Sequence, residues 1–183
     1  MNKLFNFKSS ILVAAMLALP VAQAASLTRT DYNAGKTRIS ADYKADKALC
    51  TSMAGNAKDI CVEEAKGKEK VARAELEYGY TGKPKDQNKV LVTKAEVAYA
   101  IAKEKCDDFA GNPKDVCVKE AKAVEIKALA DAKAGKQIGE AATDAANAKR
   151  DADYKVAIEK CDAFAGDAKA SCVSAAKATF GKT

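Results

Sequence analysis

The chain contains no histidine and no tryptophan. The first absence removes the commonest general base at neutral pH and a frequent metal ligand together. No G-x-S-x-G elbow, phosphate-cradling glycine loop or dinucleotide fingerprint occurs either. Acidic neighbours such as Glu63–Glu64 and Asp107–Asp108 fall in charge-rich helical sequence, where exposure is the default, whereas catalytic carboxylates need burial or a cleft. The expectation is a protein that is not an enzyme and carries no cofactor and no metal.

Blocks of one charge are missing as well. The densest basic cluster, Lys66, Lys68, Lys70 and Arg73, is interleaved with Glu63, Glu64, Glu69 and Glu75. A nucleic-acid arm or polybasic membrane segment would show a run of one sign; this pattern is a solvated helix face, and no nucleic-acid partner is expected. Bulky side chains are scarce too. The chain has five Phe and six Tyr in 183 residues, and much of its apolar content is alanine. A thick core is excluded, so the fold needs staples.

Long apolar runs are confined to the start. Ile11–Leu19 is shorter than the roughly 20 residues a spanning helix requires. Lys3 and Lys8 precede it, and Pro20 and the small-residue site Ala22-Gln23-Ala24 follow it. Residues 1–24 therefore read as a cleavable signal peptide. No cysteine follows the run to accept a lipid, and no later segment is long and apolar enough for a membrane span. Removing Lys3 and Lys8 with this segment takes the formal charge from +6 to +4.

What the sequence does contain is a cassette in triplicate. Residues 50–61 read CTSMAGNAKDIC, 106–117 read CDDFAGNPKDVC and 161–172 read CDAFAGDAKASC. The first cysteines, Cys50, Cys106 and Cys161, are 56 and then 55 residues apart. Seven residues upstream of each is a tyrosine, Tyr43, Tyr99 or Tyr154, and three downstream is Met53, Phe109 or Phe164. Valine follows the second cysteine every time, and alanine stands four beyond it at Ala65, Ala121 and Ala176. Self-similarity at a fixed period marks a repeat architecture.

Each copy reads as two helices joined at the cassette. Tyrosine and cysteine two turns apart share a face, and downstream Cys117, Ala121, Val124 and Ala128 keep helical spacing. Gly55, Gly111 and Gly166 suit a left-handed position that ends the first helix. Asn56, Asn112 and Asp167 then read as N-caps of the second, with Pro113 at the first helical position of copy two. Asp59 and Asp115, three residues after their caps, suit the positive end of the new helix.

Six cysteines allow 15 connectivities. The repeat selects Cys50–Cys61, Cys106–Cys117 and Cys161–Cys172, because each pair flanks one bend at similar height. A disulfide needs Cα atoms about 4.4–6.8 Å apart, closer than ordinary helix spacing, and flanking alanines permit that approach. Each closed loop contributes about 3 kcal/mol in the chain-entropy model. Metal binding and redox cycling fit poorly: the pairs are ten residues apart, no histidine joins them, and no Cys-x-x-Cys occurs.

The predicted fold is all-α: three tandem αα-hairpin repeats, each clasped by one disulfide, as an elongated bundle or short solenoid. Its divisions are a signal peptide at 1–24, repeat one at 25–80, a linker at 81–90, repeat two at 91–135 and a truncated repeat three at 136–183. GYTGKPKDQNK at 79–89 reads as a loop; GKQIG at 135–139 is a weaker break or a bent continuous helix. Gly35 weakens any helix between Ala25 and Ile39. The tyrosines read as core-edge residues with wet hydroxyls; a ladder for stacking on a ligand is the sharper alternative.

The pattern Cys-x-x-[MF]-Ala-Gly-[ND]-x-Lys-x-x-Cys-Val, followed by helices such as EAKGKEKVARAELE and EAKAVEIKALADAKA, resembles a group of exported proteins of Gram-negative bacteria labelled cell-envelope biogenesis or TolA-like. The resemblance covers nearly all of the chain after residue 24. It implies a periplasmic setting and supplies no functional residues. The resulting expectation is a non-enzymatic periplasmic helical repeat protein, acting as a structural, stress-protective or interaction module with an envelope protein or polymer as partner. Two alternatives stand beside it. One is a binder of anionic envelope polymers through lysine-rich helix faces; the other is a thiol- or metal-handling protein.

Overall fold

The computed structural model describes residues 27–182; the signal-peptide reading of residues 1–24 falls outside them. Five α-helices follow one another: α1 (Arg29–Leu49), α2 (Gly55–Thr81), α3 (Pro84–Cys106), α4 (Asn112–Cys161) and α5 (Gly166–Phe180), with a short 3-10 turn at Cys50–Ser52. The described residues contain no strand. Each helix packs on its neighbours in the chain, and among the described residues no helix packs on any other. The all-α fold is thus assembled serially, as expected of a repeat array whose units touch only adjacent units.

The core is as thin as the composition requires. Its buried apolar residues are Cys50, Ala65, Ala74, Val90, Ala95, Cys106, Ala132, Cys161 and Ala176, and the largest fully buried side chains are the three first cysteines. Among the described residues no apolar side chain bulkier than valine is enclosed. Close helix approach takes the place of large side chains. A Cβ on Gly35 would stand 2.7 Å from a methyl of Leu76, so the glycine that weakens α1 locally is where α2 seats against it. The start of α1 is firm rather than weak. Thr28 caps it: its hydroxyl oxygen accepts from the Asp31 amide at 3.1 Å and its hydroxyl donates to the Asp31 carboxylate at 2.6 Å.

The bends form as the cassette dictates. Gly55, Gly111 and Gly166 have φ of 57°, 61° and 54°, a region side-chain-bearing residues rarely enter. Pro113 lies in the first turn of α4. The capping reading is corrected, however. Asn112 is already helical behind Gly111, and no side chain caps the starts of α2, α4 or α5. Asp115 and Asp167 do occupy first turns, while Asp59 falls beyond the first turn of α2.

The first junction between hairpins differs from its expected form, and the second takes the continuous-helix alternative. The linker placed at 81–90, and the loop at 79–89, shrink to Gly82 and Lys83, with helix on either side. Gly82 turns the chain at φ 61°, Pro84 opens α3, and the Thr81 hydroxyl donates to Asp86 across the turn. The boundary at 135–136 is not a break at all: α4 runs unbroken through Gly135 and Gly139 for 50 residues, about 75 Å of helix. The repeat explains the contrast. Where the first junction has Gly82 and Pro84, the second has Ile138 and Glu140; neither enforces a left-handed residue or removes an amide donor.

Candidate functional site: clasped bends and hairpin faces

The six cysteines pair within copies, as Cys50–Cys61, Cys106–Cys117 and Cys161–Cys172, with Cα separations of 5.6, 5.7 and 5.6 Å. No cysteine of the described residues is free. Lys114 reaches back across the second bend to Asp107 at 2.9 Å, and Lys169 repeats the contact with Asp162 at 2.9 Å across the third. The sequence thus encodes a bend held by sulfur and, in two copies, by a matching ion pair. Met53, Phe109 and Phe164 stand at these bends with about half their surface in solvent.

The repeated tyrosines are half-buried, and lysines crown their rings. Lys47, Lys122 and Lys182 lie 5.9, 4.7 and 5.9 Å from the centroids of Tyr43, Tyr99 and Tyr154, the geometry of cation–π attraction. None stacks on another; among the described residues the aromatic pairs are Tyr32 with Tyr80 and Tyr154 with Phe180. The core-edge reading describes them, and no ladder is formed. Lys122 also binds the buried carboxylate of Glu125. That hydrogen bond raises the lysine's pKa above its ordinary value, against desolvation, which lowers it. Nothing in the sequence singled out Glu125; its burial follows from α4 turning it toward α3.

Three of the four cations in the densest basic cluster are paired in place. Lys66 pairs with Glu63, Lys68 with Asp46 and Arg73 with Glu69, at 3.0, 3.2 and 2.7 Å. Among the described residues no group of three or more acidic or cysteine side chains is placed to hold a metal ion. An open groove of about 890 Å³ lies where the start of α3 passes the middle of α4, floored by Gly135 and Gly139.

One polar contact joins the bends of hairpins one and two. The amide of Asn56 donates to the Glu104 carbonyl at 2.9 Å and to the Asp108 carboxylate at 2.8 Å. Read from sequence as a cap, Asn56 instead ties one hairpin to the next. Lys105 with Glu64 at 3.1 Å and Lys94 with Glu75 at 2.7 Å continue the same seam. Along it Gly67 lets Val97 and Ile101 of α3 approach the α2 backbone. No family model, curated protein or solved structure matches the chain. No described helix is long and apolar enough to cross a membrane.

Proposed function

We propose that the protein is a non-enzymatic interaction module of the periplasm, presenting helix faces to an envelope protein or polymer. The observation that carries this reading is the combination of three disulfide-clasped bends with a core of alanine, valine and cysteine. Such a framework holds its shape through sulfur bridges, which an oxidising compartment preserves, and leaves most helix faces in solvent. The exported, Gram-negative setting rests on the N-terminal segment and on the resemblance noted above. A surface of this kind works by contact, through exposed positions such as Phe109 and Phe164 at the bends.

The two alternatives have less support. Lys66, Lys68 and Arg73 are paired with neighbouring carboxylates, which among the described residues leaves Lys70 as the one unpaired cation of that cluster to meet an anionic polymer. Thiol chemistry needs a free sulfur, and all six are bonded.

The test is photo-crosslinking from residues 109 and 164 in the native periplasm. The reading expects one reproducible envelope protein or polymer at these positions. Adducts no different from those of a buried control position, such as 132, would reject it. Binding to purified lipopolysaccharide that falls steeply with salt would favour the polymer alternative.

A further inference from the structure

The seam between hairpins one and two has a chemical duplicate that is unused within this molecule. All its ion pairs and its apolar contact recur at the repeat spacing on the two halves of α4. Glu64 and Lys105 correspond to Glu120 and Lys160, and Glu75 and Lys94 to Asp131 and Lys149. Asn56 and Glu104 correspond to Asn112 and Glu159, while Gly67, Val97 and Ile101 become Ala123, Ala152 and Val156. Only the bond from Asn56 to Asp108 lacks a counterpart, because Ala163 stands at the equivalent place.

In the first seam these groups meet because the chain turns at Gly82–Lys83. In the second they cannot meet, because α4 is one unbroken helix. Asp131 and Lys149 lie about 27 Å apart along it, and Glu120 and Lys160 about 60 Å. All four are exposed, and among the described residues none has an ion-pair partner. The apolar residues of this face are exposed with them, including Val156 at 54% and Ile138 at 70%.

We propose that this face is filled by a second copy of the chain, in a twofold dimer whose α4 helices pack antiparallel along their length. The antiparallel register of the first seam, carried over at the repeat spacing, centres both Glu120–Lys160 and Asp131–Lys149 on Glu140. A shared centre is what an isologous interface demands: if Asp131 of one copy meets Lys149 of the other, the reverse contact forms as well. The axis then passes the segment 138–140, where Ile138 is 70% exposed and the described residues place nothing within 4 Å of a Cβ at Gly139. Space for the partner is given by the molecule itself. Helices α3 and α4 of one copy take the places of α1 and α2, and α4 and α5 of the other take those of α3 and α4. The dimer repeats, in trans, a four-helix arrangement the monomer already contains in cis.

The test uses oxidised full-length protein purified as equal amounts of isotopically heavy and light copies, mixed and treated with a zero-length carbodiimide. Heavy–light peptides joining Asp131 to Lys149 or Glu120 to Lys160 are expected, together with a sedimentation mass twice that of the chain. The Lys149→Glu variant should weaken association about tenfold, since the twofold duplicates each lost pair and replaces attraction by repulsion. Combining Asp131→Lys with Lys149→Asp should restore it. Crosslinks found only within copies of one mass would show that hairpin three folds back on its own chain by breaking α4 near Gly135–Gly139, and would overturn the proposal. A monomer from micromolar to millimolar concentration, or association indifferent to Lys149→Glu, would overturn it equally.

Discussion

Val97 fills the space beside Gly67 that a methyl group there would need, so α2 and α3 approach at that point because residue 67 has no side chain. The β-branched Val97 cannot swing aside on a flexible stem. Replacing Gly67 by alanine should therefore destabilise the fold by about 1 kcal/mol. Overpacking costs about 1–3 kcal/mol, and the gain in helix propensity offsets at most about 1 kcal/mol. Gly135 makes the opposite case, with nothing within 4 Å of a Cβ there. Gly135→Ala should stabilise by up to about 1 kcal/mol. Urea unfolding of both variants decides it; equal shifts of the same sign would contradict this account of the seam.

Gly111 has φ 61° and ψ −144°, a region essentially restricted to glycine. Gly111→Ala should cost about 1–3 kcal/mol, with Cys106–Cys117 still able to form. A melting temperature unchanged from the parent would mean that the bend is not held in this conformation in solution.

The third hairpin depends on its sulfur bridge more than the others do. Helix α5 has 15 residues and packs only on α4, and a helix of that length is marginal by itself in water. Removing the bridge as Cys161→Ala with Cys172→Ala should cost about 3 kcal/mol. Amide exchange should show α5 opening while α2 and α3 stay protected. Loss of protection in α2 and α3 to the same extent would refute serial assembly.

Lys182 donates to Asp151 at 2.6 Å. That hydrogen bond, then the lysine's charge, holds the Asp151 carboxyl below its ordinary value. A carboxylate depressed on folding stabilises above its unfolded pKa and loses that contribution as pH falls through its folded pKa. The tie from the C-terminus to α4 should therefore persist at neutral pH and release only below about pH 4. Carboxyl titration by NMR should show Asp151 moving up toward the usual range in Lys182→Ala. A titration curve untouched by that substitution would rule the contact out.

Local signals made much of this legible. The disulfide pairing followed from one cassette copied three times, and the bends from Gly55, Gly111 and Gly166, whose positive φ was the conformation expected. Side chains with more than one way to satisfy themselves were misread. Asn56 could cap its own helix or reach the carbonyl of Glu104, and only the nearness of α3 selects the second. Gly35 counted against a helix in isolation, yet its missing side chain is what seats Leu76.

The amino-acid sequence alone determined the repeat, the helical content, the sulfur clasps and the thinness of the interior, because each depends on residues within a few turns of one another. The tertiary structure decided where the chain folds back between hairpins. Gly82 and Pro84 enforce a reversal, whereas two glycines at 135 and 139 only weaken a helix by about 1 kcal/mol each. Whether such a segment breaks or runs on depends on the helices beside it, and here α4 runs unbroken past α3 to the third bend.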